Sequence, residues 1–317
     1  MTVGYHRPRD AAEALAILAG SDAGAGDESA GSKAAQPEAG SKPAGVAPGR
    51  PGFPRRLPLG GGTQLNSSES RDLLVEAVAL EGVVPKNIEH EGSKTIIGAM
   101  TTFQEILDSP GLHPIIVAAA RGMVDRNIRN RATVGGNLGS DKSCSSLIPV
   151  LLVLDAELLL LDGRRLSLED WLELPSEPKG RGVITKITID IKQGRLSSYA
   201  RWSRVSSDLA VLGVAAAYRL EKGRVRDLRL VLGGVAAHAR RVPALEAAFE
   251  GAKLPERADI EGLVAGNDGA GNPYFSPIDD ARGSAAFKGF RMAALIADAI
   301  IFAKPDEAGA HSTEERA

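Results

Sequence analysis

Apolar residues recur along this chain in short blocks whose spacing predicts a mixture of helices and strands. Leu15 and Leu18 lie three residues apart and follow Asp10, so residues 10–19 are predicted to form an amphipathic helix with Asp10 as N-cap. Residues 183–191 alternate apolar with polar side chains, which is the pattern of a half-buried strand. Both patterns occur throughout the sequence, and together they predict an α/β (α+β) protein.

Turn signals and apolar runs place the remaining elements. Asp162-Gly163 and Lys222-Gly223 each separate two apolar runs, so we expect a β-hairpin at both positions. Residues 71–80 are rich in apolar side chains, but their spacing leaves both a strand and a helix open. Further strands are predicted at 55–59 and 95–99. Further helices are predicted at 103–109 behind a cap at Thr101 or Thr102, and at 114–124, 149–154, 242–250 and within 280–300.

Length and local composition indicate how the chain is divided. A chain of 317 residues suggests two domains, and Pro, Gly and charged residues concentrate at 175–182, where we place the boundary. Residues 21–52 have Val46 as their only large apolar side chain, which predicts a disordered insertion. The expected organisation is a first domain at 1–174, a second domain at 183–303 and a disordered polar tail at 304–317.

Charge and composition exclude several classes of function. The formal net charge is −2, so there is no electrostatic basis for binding nucleic acid or an anionic membrane. The single cysteine, Cys144, excludes an internal disulfide framework and an all-cysteine iron–sulfur cluster held by this chain alone. No metal-ligand spacing or catalytic triad stands out, and we predict neither a metal site nor a catalytic residue. No signal peptide or membrane-spanning run is visible, so we expect a cytoplasmic protein.

Two glycine loops are the strongest candidates for a binding site. Residues 59–65 contain three consecutive glycines followed by Thr and Gln, and residues 133–137 read Thr-Val-Gly-Gly-Asn. Glycine lets a ligand approach the backbone closely, and consecutive free N–H groups form a concave anion-binding nest. The loops could therefore hold the two phosphates of a dinucleotide from opposite sides. Two unrelated tight turns in a glycine-rich chain are the alternative.

Several short motifs follow one another in a recognisable order. Tyr5-His6-Arg7-Pro8 opens the chain, Gly61-Gly62-Thr63-Gln64-Leu65 and Ile128–Leu138 form the loops, and Ser203-Arg204, Asp208–Ala210 and Leu232–Ala236 come later. In this order they resemble the flavoprotein (medium) subunit of the molybdenum hydroxylases, the xanthine dehydrogenase and carbon monoxide dehydrogenase group. Its opening motif is Y-x-R-P, and its second FAD loop is I-R-N-x-A-T-x-G-G-N-L. The second loop is the most specific of these matches.

The resemblance implies a fold, a cofactor and partners. The fold is an FAD-binding domain of the vanillyl-alcohol-oxidase-like (PCMH) type with two α/β lobes, followed by a smaller α+β domain with an antiparallel sheet and helices. The cofactor of this chain is FAD, while [2Fe–2S] centres and molybdopterin belong to a small and a large partner subunit. The chain would be the electron-transfer subunit of a hetero-oligomeric oxidoreductase, with NAD+ or another carrier as acceptor.

The resemblance also assigns roles to residues. The N–H groups of Gly60–Gly62 and Gly135–Gly136 would cradle the pyrophosphate. Arg201 is the candidate for a cation that reaches the flavin, and a solvated surface arginine is the alternative. An acidic residue is usual at the position of Ser146, so that contact is weakened here or supplied otherwise, for example by Asp141. The predicted FAD-binding residues are Leu59, Gly60, Gly61, Gly62, Thr63, Gln64, Leu65, Thr133, Val134, Gly135, Gly136, Asn137, Ser146 and Arg201.

Two other functions are compatible with the sequence. A self-contained flavin oxidoreductase of the same fold would need its own substrate-site acids or a histidine that attaches the flavin. A flavin-free assembly subunit would explain the serine at position 146 and the 21–52 insertion. Flavin content distinguishes the flavin-free assembly subunit from the other two functions. Co-purification with iron and molybdenum subunits distinguishes the hydroxylase subunit from a self-contained flavin oxidoreductase.

Overall fold

In the part of the chain that the structure describes, the N-terminal lobe is a small parallel sheet with one helix packed against it. The structure is a computed structural model that describes residues 2–20, 55–65, 75–123, 125–175, 178–205 and 208–306, so the predicted insertion at 21–52 lies outside it. The strands are ordered β1-β3-β2. The elements are β1 (Thr2–His6), α1 (Ala11–Ala19), β2 (Arg55–Leu59) and β3 (Val75–Ala79).

Local signals explain why these elements form. Asp10 caps α1 as predicted, since its Oδ1 accepts the N–H of Glu13 at 2.8 Å, and Gly20 ends the helix in the left-handed region. The ambiguous segment 71–80 contains a strand, because β3 pairs with β1 on one side and β2 on the other. This central position buries Val75, Ala77 and Val78. β2 leads directly into the first glycine loop.

The second lobe is a five-stranded antiparallel sheet covered by helices, with the strand order β4-β5-β8-β6-β7. Thr102 and Glu105 form the predicted capping box at the start of α2. The elements are β4 (Ile88–Glu91), β5 (Lys94–Gly98), α2 (Phe103–Asp108), α3 (Pro114–Arg121), α4 (Arg126–Arg129), α5 (Val134–Ser140), α6 (Leu147–Val153), β6 (Glu157–Leu160), β7 (Arg165–Ser167), α7 (Leu168–Glu173), α8 (Pro178–Arg181) and β8 (Ile184–Asp190).

The position of β8 corrects the expected division of the chain. The half-buried strand is present, but it does not open the second domain as we expected for residues 183–303. It pairs antiparallel with β5 and with β6, and so forms the centre of the second lobe's sheet. Ile187 and Ile189 are fully buried there, and this burial explains why the strand returns to the first domain.

The C-terminal domain is a second five-stranded sheet with three helices. Its strand order is β12-β11-β10-β9-β13, and its central hairpin turns at Lys222-Gly223 as predicted. The elements are β9 (Arg195–Trp202), β10 (Leu212–Glu221), β11 (Arg224–Gly233), β12 (Arg240–Arg241), α9 (Pro243–Phe249), α10 (Arg257–Val264), α11 (Ala285–Ile301) and β13 (Lys304–Pro305).

The two domains share the faces of this sheet. Ala215, Ala217 and Val231 pack into the core of the first domain, whereas the alternate positions Ala216 and Leu230 pack into the core of the second. Side chains point to opposite faces of a strand in alternation, so one sheet contacts α6 on one face and α11 on the other. This explains why β10 is apolar over most of its length rather than alternating with polar residues.

The start of the predicted tail is ordered. Lys304 and Pro305 pair with β9, and the Asp306 carboxylate is buried. Its Oδ1 accepts a hydrogen bond from the Ser197 hydroxyl and lies 3.1 Å from Nε2 of His113, which caps α3 in the first domain. The predicted start of the frayed tail at residue 304 is therefore too early. The segment is polar, but the buried Asp306 carboxylate and its hydrogen bond hold it in place.

Replacing Asp306 by Ala should destabilise the protein. The change leaves the buried Ser197 hydroxyl without its hydrogen-bond acceptor, which costs about 1–3 kcal/mol, and each kcal/mol lowers the melting temperature by about 2–4 °C in domains of this size. Thermal unfolding followed by circular dichroism measures the effect. Asp298→Ala is the control, because it removes an exposed pair with Arg257, and exposed ion pairs contribute little to stability. Equal melting temperatures for the two variants would contradict the assignment.

Candidate functional site

The two glycine loops meet, and the contact between them requires a glycine. A Cβ atom added to Gly61 would lie 1.5 Å from the carbonyl oxygen of Arg131, so no other residue fits without moving the backbone. In return, Nε of Arg131 donates a hydrogen bond of 3.3 Å to the carbonyl oxygen of Gly61. Loops separated by some 70 positions in sequence are thus joined edge to edge.

Thr133 lies at the centre of this contact. Its Oγ1 would be 2.7 Å from a Cβ at Gly60 and 2.8 Å from a Cβ at Gly136, so the hydroxyl is packed between the loops. Thr133 is the N-cap of α5, and its Oγ1 accepts the N–H of Gly136 at 3.1 Å. The hydroxyl proton of Thr133 is still available to donate to a ligand.

The second loop is the start of α5, and two of the N–H groups that were predicted to bind the pyrophosphate have partners within the protein. The N–H of Gly135 donates to the carbonyl oxygen of Ala99 at 2.8 Å, and the N–H of Gly136 donates to Thr133. Both groups assigned to the pyrophosphate are therefore already satisfied. The Gly-Gly pair serves packing instead, because a Cβ at Gly135 would lie 2.8 Å from that of Ala99.

The first loop keeps its donors. Among the described residues, the N–H groups of Gly60, Gly61 and Gly62 have no hydrogen-bond partner. Gly62 adopts φ 74°, a conformation that favours glycine. An anion could bind these three N–H groups without displacing an existing hydrogen bond.

Both loops line one cavity of about 570 Å³, a volume typical of a cofactor pocket. Its apolar lining includes Leu80, Met100, Met123 and Trp171. The predicted residues that line it are Leu59, Gly60, Gly61, Gly62, Thr63, Gln64, Leu65, Thr133, Gly135, Gly136 and Asn137. Residues that the sequence did not indicate include Gly139, Ser140, Lys142, Cys144, Ser145, Val183, Ile184, Leu209 and Arg282.

The cavity lining carries positive charge. Lys142 and Arg282 are the cationic side chains of the described lining, and no described carboxylate lines the cavity with them. Asp141, the acid suggested as a replacement at this site, is buried elsewhere. Its Oδ2 lies 2.7 Å from Nη1 of Arg181 and 2.9 Å from Nδ1 of His238. The lining therefore favours an anionic ligand.

Ser145 takes the place that was predicted for Ser146. The Ser145 hydroxyl donates to Oδ1 of Asn137 at 2.6 Å and accepts the N–H of Ile148 at 3.3 Å. It therefore holds the Asn137 amide at the cavity wall and provides a hydrogen-bond acceptor for a backbone N–H in the first turn of α6. Ser146 does not line the cavity, and its buried Oγ has no partner among the described residues.

Two further predicted residues lie behind the cavity wall. Val134 is buried in the core, and its N–H donates to the carbonyl oxygen of Thr101. Arg201 donates from Nη2 to the carbonyl oxygen of Asp208 at 2.6 Å and stands over Gly122, so it does not line the cavity. Beside Arg201, burial raises the pKa of Tyr199 to about 12, which keeps its hydroxyl neutral.

Comparison with known proteins identifies the family. Residues 54–189 match the family described as the FAD binding domain in molybdopterin dehydrogenase, and residues 197–300 match the CO dehydrogenase flavoprotein C-terminal domain. The chain is 31% identical to the uncharacterized protein YgfM of Escherichia coli K12 over 78% of its length and 87% of that protein's. The chain belongs to the FAD-binding medium subunits of the molybdenum hydroxylases.

Other medium subunits and solved structures agree with this assignment. The chain is 29% identical to the nicotine 6-hydroxylase medium subunit of Paenarthrobacter nicotinovorans, over 80% of its length and 90% of that subunit's. Carbon monoxide dehydrogenase from Hydrogenophaga pseudoflava shares the fold, with a TM-score of 0.74 and 23% identity over 95% of this chain and 96% of that one. The predicted fold of an FAD-binding domain followed by a flavoprotein C-terminal domain is confirmed.

Among the described residues of the medium subunit, no three His, Cys, Asp or Glu side chains lie close enough together to hold a metal ion. No helix in the described ranges is both long and apolar enough to cross a bilayer.

Substituting Ala for Gly61 should separate the two loops of this medium subunit. The new Cβ would overlap the Arg131 carbonyl, and overpacking of this kind costs about 1–3 kcal/mol. Thermal unfolding should show a lower melting temperature. Gly139→Ala is the matched control, because a Cβ there meets no atom within 4 Å and alanine favours α5 by up to about 1 kcal/mol. A Gly61 variant as stable as this control would refute the close contact.

Proposed function

We propose that the cavity between the glycine loops holds FAD, with the diphosphate on the first loop. The observation that carries this is the set of three consecutive N–H groups at Gly60–Gly62, which have no partner among the described residues. A Cβ-free backbone can contact phosphate oxygens directly. The Thr133 hydroxyl and the Asn137 amide border the same cavity and add further donors.

The remainder of the cavity suits the ring systems of the dinucleotide. Leu80, Met100, Met123 and Trp171 present apolar surface, which is the usual lining of a cofactor pocket that binds flat aromatic groups. Arg201 does not line this surface, and its Nη2 donates a hydrogen bond to the carbonyl oxygen of Asp208 beside it. The chain thus supplies binding, orientation and electrostatics, and the bound FAD would supply the redox chemistry by accepting electrons singly and releasing them in pairs.

The electrons would come from another subunit. This chain has one cysteine, whereas a [2Fe–2S] centre held by thiolates needs four. We therefore infer that a small iron–sulfur subunit delivers electrons from a large molybdopterin subunit, in a cytoplasmic hetero-oligomer, and that NAD+ or another carrier accepts them here. The names of the nicotine and carbon monoxide enzymes support such an assembly, since both relatives are medium subunits or chains.

A stand-alone flavin oxidoreductase is the second candidate. It would need a substrate acid or base beside the flavin, yet the described cavity lining contains no Asp, Glu or His. A flavin-free assembly subunit is a third possibility, because Ser146 replaces an acid that the family usually has. The free donors of the first loop favour the flavin-binding function over this third one.

FAD binding is tested on the purified chain. We expect flavin absorption bands, or their appearance on adding FAD, and we expect Gly139→Leu to weaken FAD binding at least tenfold. Gly139 lines the cavity, and a Cβ added there would meet no protein atom within 4 Å, so we expect a leucine side chain to occupy ligand space. Fluorescence titration measures the affinity.

Gly262→Leu serves as the control for this variant. Gly262 is also a helical glycine with open space around its Cβ, but it lies in α10 away from the cavity. A folded wild-type chain that takes up no FAD would refute the proposed function. Unchanged FAD affinity in Gly139→Leu would refute this location for the cofactor.

Assembly is tested by purifying the tagged chain from its native host. We expect iron and molybdenum to co-purify in fixed ratio with FAD, carried by two further polypeptides. Metal analysis and mass spectrometry of the purified complex measure this. Recovery of the chain as a flavin-containing homo-oligomer without iron or molybdenum would favour the stand-alone oxidoreductase instead.

A further inference from the structure

The C-terminal domain contributes a cation to the proposed FAD cavity. Of the residues that line it, Leu209 and Arg282 come from this domain, and the others come from the two lobes of the first domain. Arg282 lies on the turn between Ile278 and Ser284 that precedes α11. Sequence analysis did not indicate this residue, because nothing near it forms a recognisable ligand motif.

The turn around Arg282 is built on one carboxylate. Oδ1 of Asp280 accepts the N–H of Arg282 at 2.8 Å and the N–H of Gly283 at 3.2 Å. The other oxygen, Oδ2, lies 3.7 Å from Nη1 of Arg282, which is longer than a hydrogen bond. Asp280 therefore hydrogen-bonds the backbone of Arg282, whereas its interaction with the Arg282 guanidinium is weak.

A buried lysine explains why Asp280 does not capture the guanidinium. Lys288 is fully buried in α11, and its Nζ lies 2.8 Å from Oδ2 of Asp280 and donates to the carbonyl oxygen of Ile278 at 3.0 Å. Burial alone would raise the pKa of Asp280, but the bonds from Lys288 and from the Arg282 N–H outweigh it and lower that pKa. Asp280 is thus an ionised carboxylate already neutralised by Lys288.

We propose that Arg282 is a cofactor-binding residue that meets the negative charge of the bound dinucleotide, and that Lys288 positions it by occupying Asp280. This inference rests on the proposed function, since it needs FAD in the cavity. Arg282 keeps a charge that is only weakly compensated within the protein, at a wall where no described carboxylate competes for it. Bringing this cation over the ligand also makes the second domain part of the site.

The negative charge could have two sources within one ligand. The diphosphate is anionic in every redox state, whereas the flavin ring gains negative charge only on reduction. The first source predicts that Arg282 also strengthens binding of ADP, which shares the diphosphate. The second predicts that Arg282 raises the midpoint potential of the bound flavin and leaves ADP binding unchanged.

The first experiment compares Arg282→Gln, Arg282→Lys and the control Arg257→Gln in the full chain. Arg257 is a surface residue of the same domain that pairs with Asp298 and Glu261. We expect Arg282→Gln to weaken FAD binding about 10- to 100-fold, the effect of losing one hydrogen bond to a charged group, or to lower the midpoint potential. Arg282→Lys should recover part of the loss. ADP titration and redox titration of the bound flavin distinguish the two sources.

The second experiment tests the positioning role of Lys288. In Lys288→Met the Asp280 carboxylate loses its partner, so it should draw in the Arg282 guanidinium and weaken FAD binding although Arg282 is intact. The double variant Lys288→Met with Asp280→Asn removes both charges, frees Arg282 and should restore the affinity. A purely structural lysine would not be rescued in this way. Melting temperatures confirm that each variant is folded.

The outcomes separate this inference from the proposed function. If the wild-type chain does not bind FAD, the proposed function fails. If it binds FAD but Arg282→Gln matches Arg257→Gln in both FAD affinity and midpoint potential, the role of Arg282 is refuted. Failure of the Asp280→Asn change to rescue a folded Lys288→Met variant would refute the role of Lys288 alone.

Discussion

The site depends on the close approach of two backbones, in which Gly61 packs against the carbonyl oxygen of Arg131. Any Cβ at position 61 would overlap that oxygen, so the loops can meet only because one residue lacks a side chain. The Thr133 hydroxyl fills the remaining space between them. This contact joins the small parallel lobe to the second lobe, and the cavity exists because the lobes are held in this arrangement.

Similar glycine patterns serve different purposes in the two loops. The N–H groups of Gly135 and Gly136 are consumed by Ala99 and Thr133 when α5 begins, whereas those of the first loop have no partner within the described residues. The charge of the cavity likewise comes from outside the motifs, from Lys142 and Arg282. The sequence motifs locate the site. Which backbone N–H groups a ligand can use depends on which of them already donate hydrogen bonds within the protein.

The sequence was sufficient for features that depend on neighbours along the chain. The caps at Asp10 and Thr102 and the hairpin at Lys222-Gly223 follow from local signals and are confirmed. It was insufficient where distant residues decide the outcome. β8 lies far in sequence from β5, and Arg282 reaches the cavity only because a buried carboxylate and lysine shape its turn. The local sequence around β8 does not indicate that it pairs with β5, and the local sequence around Arg282 does not indicate that it reaches the cavity.

The central place of β8 has a consequence for how the protein is made. β8 is the last element of the first domain to be synthesised, yet it lies between β5 and β6. Until it emerges from the ribosome, both strands have a bare edge open to mispairing with other chains. The sheet of the second lobe therefore cannot be completed until residue 190 has left the exit tunnel. The cofactor pocket is completed later still, because Leu209 and Arg282 of the second domain also line it.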